Sequence, residues 1–103
     1  MPGDELTIRD EPESHRYTAR LGDEIAGFVD YRALAGRRVL LHTEVLPAFS
    51  GRGIAGELAR FALDAARAAG HRVTPKCPFI LTWLERHPEY EDIVTRRPGS
   101  RRS

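Results

Sequence analysis

Cysteine, lysine and long apolar segments are nearly missing from this chain. It has one cysteine, Cys77, and one lysine, Lys76, among 103 residues. A single cysteine cannot form an internal disulfide, and no N-terminal stretch has the basic start and apolar core of a signal peptide. No apolar run approaches the length that crosses a bilayer. We therefore expect a cytoplasmic protein without membrane contact.

Charge balance and histidine spacing remove two further classes of function. The 16 basic and 15 acidic residues give a formal net charge of +1, so nucleic acid is not an expected partner. The four histidines share no metal-ligand spacing with one another or with the cysteine, so we expect no metal. A chain of this length buries one modest core. We expect one domain, residues 4–94, acting as a monomer or homodimer, and a basic disordered tail, residues 95–103.

Alternating apolar and polar residues predict strands in the first half of the chain. The predicted segments are 6–9, 16–21, 25–31 and 39–46. The last segment is apolar at nearly every position before His42 and should be central in the sheet. A period of two residues would place His42 and Glu44 on one face with Leu40 and Leu46, and Val39, Leu41, Thr43 and Val45 on the other.

Helical periodicity begins at residue 54. One face is apolar and the other is charged, with charges three or four residues apart that should support one another. The apolar set is Ile54, Leu58, Phe61, Ala62 and Ala65, and the charged set is Glu57, Arg60, Asp64 and Arg67. Gly70 should end this helix, and residues 71–75 should form a strand parallel to the preceding one. A second short helix should begin at Pro78 and cover residues 79–86. We therefore expect an α/β (α+β) domain in which antiparallel strands lead into one right-handed βαβ unit.

A glycine-rich turn joins the fourth predicted strand to the main helix. Gly51, Gly53 and Gly56 leave backbone N–H groups free to approach an anion closely, and the first helical turn adds donors without partners. This favours a phosphate site, although a tight turn packed on a helix would also need glycine. The Walker pattern is excluded because Glu57, not lysine, follows Gly56. The dinucleotide fingerprint requires a repeated βαβ array that a chain this short cannot contain.

The surroundings of the turn resemble the acetyl-coenzyme A motif of the GNAT N-acetyltransferase superfamily. That motif has Val-x-Pro before an Arg/Gln-x-x-Gly-x-Gly/Ala loop, and here Val45-Leu46-Pro47 precedes Ser50-Gly51-Arg52-Gly53-Ile54-Ala55. The run His42-Thr43-Glu44-Val45, the lone Cys77 after Pro75-Lys76, and His87-Pro88-Glu89-Tyr90 resemble the compact subfamily of small N-acetyltransferase-domain proteins. Ser50 stands where the family usually has Arg or Gln, so that contact would be weaker or would move to Arg52.

The resemblance implies a GNAT fold, with strands that splay apart on either side of the main helix, and acetyl-CoA as co-substrate. The pantetheine arm would lie in the opening against the backbone of Glu44, Val45 and Leu46, and the N–H groups of residues 51–56 would bind the diphosphate. The implied cofactor-binding residues are Val45, Leu46, Ser50, Gly51, Arg52, Gly53, Ile54, Ala55 and Gly56. The implied reaction moves an acetyl group to an aliphatic amine, such as a polyamine or a protein lysine or N-terminus.

Cys77 and Glu44 are the candidates for the chemistry. Cys77 precedes Pro78 and should cap the second helix, where the helix dipole and Lys76 favour a thiolate. The compact subfamily has been proposed to pass the acetyl group through such a cysteine. Glu44, or His42 on the same face, could accept the proton of the incoming amine. The alternatives are a buried apolar cysteine, a structural histidine, a surface glutamate, and a non-catalytic module that senses acyl-CoA.

Overall fold

Five strands form one sheet in chain order, β1 to β5. Their bounds in this computed structural model, which describes residues 5–95, are β1 Leu6–Glu11, β2 Arg16–Leu21, β3 Glu24–Leu34, β4 Arg37–Val45 and β5 Arg72–Pro75. The first four strands are antiparallel, and β5 runs parallel to β4. The predicted order, with antiparallel strands leading into a βαβ unit, is confirmed. Most of the expected tail lies outside the described residues.

Two α-helices follow the fourth strand. Helix α1 spans Ile54–Ala69 and ends at Gly70, whose φ of 75° is left-handed, as the sequence predicts. Helix α2 spans Pro78–Glu85, with Cys77 at its N-cap as predicted. The described residues also contain three short 3₁₀ segments that were not predicted, each beginning with a proline: Pro12–Ser14, Pro47–Phe49 and Pro88–Ile93.

Helix α1 packs its apolar face against the sheet. Its side chains Leu58 and Leu63 are fully buried, together with Val29 and Leu40 from the strands. Complete burial of a leucine side chain stabilises a fold by about 1.5–3 kcal/mol. The turn at the start of α1 is therefore fixed relative to β4, which precedes it in the chain.

Charged side chains of α1 contact the last 3₁₀ segment. Arg67 forms an ion pair with Asp92 at 2.7 Å. The Tyr90 hydroxyl donates to Asp64 Oδ1 at 2.5 Å and accepts from Arg60 at 3.2 Å. Asp64 also raises the pKa of Arg67 through its negative charge, as the predicted support between charges of α1 implies, and the unpredicted segment Pro88–Ile93 adds closer partners.

The pairing of β3 with β4 contains a register shift. Asp30 lies opposite His42, whereas Tyr31 lies opposite Leu40, so Leu41 is an extra residue in β4. Leu40 is fully buried, while His42 is exposed. The prediction that Leu40 and His42 share a face is therefore wrong, because the bulge interrupts the two-residue period.

Candidate active site

Strands β4 and β5 separate after a short stretch of pairing. Their parallel register runs from Arg37 opposite Arg72 to Leu40 opposite Pro75. The Leu40 carbonyl then accepts the N–H groups of Lys76 at 2.8 Å and Cys77 at 3.1 Å, and the chain turns into α2. Among residues 5–95, no strand pairs with the β5 side of β4 beyond Leu40. We call this side of residues 41–45 the open edge.

Backbone direction decides which amides face the open edge. The Leu46 N–H donates to the Ala26 carbonyl at 2.8 Å, and the Leu46 carbonyl accepts from Phe49 at 2.9 Å. Successive amides of a strand alternate between its two edges, so the N–H groups of Thr43 and Val45 point to the open edge. Leu46 was expected to contact pantetheine through its backbone, but its backbone groups already have partners, and Val45 is the better placed donor.

The glycine turn presents unpartnered amides at the start of α1. Gly51 and Gly53 have φ values of 80° and 75°, and Gly53 is the N-cap. The first backbone bond into the helix runs from Glu57 N–H to Gly53 O at 3.2 Å, which leaves the amides of Ile54, Ala55 and Gly56 without helical acceptors.

The space beside this turn is open. A Cβ added at Gly51 or Gly53 would meet no protein atom within 4 Å, so packing does not require glycine there. The left-handed backbone does favour it, since another residue would pay about 1–2 kcal/mol. The open space and the free amides together fit a diphosphate.

Ser50 and Arg52 flank the same turn. The Ser50 hydroxyl donates to the Pro47 carbonyl at 3.1 Å and thereby stabilises the bend after β4. Arg52 is exposed, with its guanidinium 5.8 Å from the centroid of the Phe49 ring. Arg52 is therefore a cationic side chain next to the turn, and its contact with a diphosphate stays a prediction.

Cys77 lies where β4 and β5 part. It is only 3% exposed and makes no side-chain bond to the N–H groups of α2. Its Sγ is 3.4 Å from Thr43 Oγ1, across the mouth of the opening. Sequence reasoning missed Thr43, and the only available signal was its place between the two candidate bases in the strand.

Glu44 and His42 lie on the other face of β4. The Nε2 of His42 is 3.1 Å from Glu44 Oε1, which confirms that these two side chains share a face. Thr43, which contacts Cys77, points to the opposite face because neighbouring side chains of a strand alternate. The structure thus forms two pairs on opposite faces of β4. Glu44 contacts His42 on one face, and Cys77 contacts Thr43 on the other.

Membrane-spanning helices and groups of metal ligands are both absent from residues 5–95. No helix in this range is long and apolar enough to cross a membrane. No three or more His, Cys, Asp or Glu side chains are grouped so that they could hold a metal ion within the same range.

The parted strands, the glycine turn and the helix that follows define a GNAT fold, and solved structures share it. The solution structure of a GCN5-like N-acetyltransferase candidate from Staphylococcus aureus matches with a TM-score of 0.69 and 20% identity, covering 97% of this chain and 96% of that one. The ribosomal-protein-alanine N-acetyltransferase from Brucella melitensis biovar Abortus matches with a TM-score of 0.56 and 22% identity, covering 85% and 68%. Ard1 from Thermoplasma volcanium matches with a TM-score of 0.51 and 20% identity, covering 60% and 43%.

The sequence itself identifies the family. Residues 16–93 match the model of the GCN5-related N-acetyltransferase family, and the chain belongs to that family. No curated protein sequence matches the chain significantly.

Proposed function

We propose that this protein transfers the acetyl group of acetyl-CoA to an aliphatic amine. The main support is the continuity between the open edge and the glycine turn. The amides of Thr43 and Val45 point away from β3, and the chain then leads through Pro47–Phe49 to the free amides that begin α1.

The residues along this path match the chemistry of coenzyme A. Pantetheine is extended and contains amide groups, so it can pair with an exposed strand edge as an added strand does. The diphosphate suits the N–H groups and dipole of a helix N-terminus, with Arg52 available as a cation. Acetyl-CoA is also the co-substrate of the family to which the chain belongs.

Cys77 is the proposed acetyl carrier. In the first step, the Cys77 sulfur bonds to the acetyl carbonyl carbon as the bond from that carbon to the CoA sulfur breaks. The CoA sulfur gains a proton in place of the one that Cys77 loses. In the second step, the amine nitrogen attacks the same carbon, and Cys77 leaves and regains a proton. Both steps exchange one acyl bond for another and require no oxidant or reductant.

Glu44 is the proposed base for the second step. An ammonium ion has no lone pair, so the acceptor must lose a proton before or during its attack. The exposed face that presents Glu44 and His42 is accessible to an amine while Cys77 lies on the opposite side of β4. The acceptor would then approach from the Glu44 face and the acetyl group from the open edge.

The proposed acceptor class includes polyamines and the amines of proteins. The protein would act in the cytoplasm as a monomer or homodimer. In residues 5–95 no long insertion covers the face of β4 that carries His42 and Glu44, and this exposed face suits a bulky acceptor.

Intact mass after incubation with acetyl-CoA tests this proposal. Wild type should retain CoA under native conditions and gain an acetyl adduct that hydroxylamine removes, as expected of a thioester. Cys77→Ala should bind CoA without the adduct. Lys76→Arg is the matched control, because it removes the neighbouring and only lysine and should leave the adduct unchanged.

Each other outcome has a distinct meaning. Bound CoA with amine acetylation in Cys77→Ala would reject the carrier and indicate direct transfer. Bound CoA without adduct or acetylated amine would indicate a sensor. Absence of CoA binding in folded wild type would contradict the proposed function altogether.

A further inference from the structure

The Cys77 thiol has a side-chain partner from a distant part of the chain. Its Sγ lies 3.4 Å from Oγ1 of Thr43, a residue 34 positions earlier. The Cys77 N–H is also held by the Leu40 carbonyl at 3.1 Å. The thiol is therefore tied to β4 through both its backbone and its side chain, at the point where β5 leaves the sheet.

A hydroxyl group can form a hydrogen bond with a neutral thiol and also with a thiolate. The Thr43 oxygen can accept the S–H of the neutral cysteine, and after rotation its O–H can donate to the thiolate. The second bond has a charged acceptor, and such bonds are roughly twice as strong as neutral ones. The hydroxyl can therefore serve as a partner to either form of the cysteine, and the bond to the charged form is the stronger one.

Besides the dipole of α2 and the adjacent Lys76, Thr43 provides the side-chain hydrogen bond to the Cys77 sulfur. Cys77 is 3% exposed, so water has little access to its sulfur, and its side chain makes no cap bond to the amides of α2. The flanking side chains of β4, His42 and Glu44, point to the other face.

We propose that Thr43 is a positioning residue that orients the Cys77 sulfur toward the open edge and stabilises its thiolate. This inference rests on the proposed role of Cys77 as acetyl carrier. It assigns Thr43 no contact with acetyl-CoA through its side chain.

Alkylation of Cys77 tests the inference without acetyl-CoA. Cys77 is the only cysteine, so iodoacetamide labelling followed by intact mass reports one thiol. The rate is measured against pH in wild type, Thr43→Val, which keeps the shape and removes the hydroxyl, and Thr43→Ser, which keeps the hydroxyl. The rate near neutral pH should fall about tenfold in Thr43→Val, the effect of losing one hydrogen bond to a charged group.

The serine variant separates a hydroxyl effect from a packing effect. Thr43→Ser should label within about twofold of wild type, and the pH profile of Thr43→Val should move to higher pH than both. Equal profiles in all three proteins would overturn the inference. Equal losses in both variants, or no labelling of wild type at any pH, would also overturn it.

Acetylation by acetyl-CoA is then measured on the same proteins. A slower acetyl adduct in Thr43→Val alone, with unchanged CoA affinity, supports both the inference and the carrier. A hydroxyl-dependent alkylation rate without any acetyl adduct in wild type supports the role of Thr43 in thiol reactivity and rejects the carrier.

Discussion

The two edges of β4 differ in how far they are paired. Its β3 side is paired along the strand, from Arg37 opposite Leu34 to Val45 opposite Gly27. Its β5 side is paired only as far as Leu40. Backbone groups on one edge are satisfied by the sheet, and those on the other edge beyond Leu40 are directed at the opening. Pairing that extends to Val45 on one side gives the strand a fixed position, so the other side can present its amides to a ligand.

Gly36, before β4, and Gly53, at the start of α1, allow this comparison to be tested. Gly53→Glu should weaken CoA binding by roughly 100-fold or more, because a carboxylate next to a diphosphate costs several kcal/mol. Gly36→Glu is the matched control, since Gly36 has a similar φ of 67° and equally open surroundings in the β3–β4 turn. Calorimetry should show lost CoA affinity only for Gly53→Glu, with similar losses of stability in both.

Equal CoA affinity in the two folded glutamate variants would contradict this expectation. It would mean that the turn before α1 does not contact the diphosphate.

Gly27 tests the paired edge. A Cβ at this position would lie 2.6 Å from the Glu44 carbonyl oxygen, so β3 and β4 would have to move apart. Gly27→Ala should lower the free energy of unfolding by about 1–3 kcal/mol, the usual cost of overpacking, as measured by urea denaturation. An unchanged unfolding midpoint would show that β4 is not held as closely on this edge as the structure indicates.

The ionisation of Tyr17 in β2 makes the stability of the paired region depend on pH. Burial raises the pKa of Tyr17 to about 12, with Asp10 adding to the increase. The stabilising contribution of the neutral phenol is complete below pH 10, and it is lost as pH rises through the folded pKa. Stability should fall by about 1 kcal/mol per pH unit from this group between roughly pH 10 and 12.

Tyr17→Phe should reduce that slope in urea denaturation at a series of pH values. The remaining slope belongs in part to Tyr31, whose pKa is also raised by burial and by its hydrogen bond to Asp10. An identical slope in wild type and Tyr17→Phe would rule out this contribution.

Gly56 should separate stability from binding. An added Cβ would lie 3.7 Å from Trp83 Nε1, an ordinary contact, within the first turn of α1. Gly56→Ala should therefore stabilise the fold by about 0.5–1 kcal/mol through helix propensity. If the diphosphate approaches this amide closely, the same methyl group should weaken CoA binding. A variant that gains stability and keeps full CoA affinity would place the diphosphate elsewhere.

Local patterns predicted much of this molecule. The limits of α1, the N-cap role of Cys77 and the shared face of His42 and Glu44 depend on residues a few positions apart, and all three predictions are confirmed. The roles of the committed site residues stay predictions.

Pairing between distant segments was not predictable in the same way. The extra residue Leu41 follows from the register of β4 against β3, which no local period records. The contact of Thr43 with Cys77 joins positions 34 residues apart and depends on where β5 leaves the sheet. The partners of Asp64 and Arg67 described above likewise come from the segment Pro88–Ile93.

The central claim is that acetyl-CoA binds along the open edge of β4 and the turn before α1. Backbone amide NMR of the full chain during titration with CoA tests it most directly. The account predicts shifts concentrated at Thr43, Val45, residues 51–57 and Cys77, with the amides of β1 and β2 unchanged. Shifts centred on β1 and β2, or no shifts at saturating CoA, would contradict it.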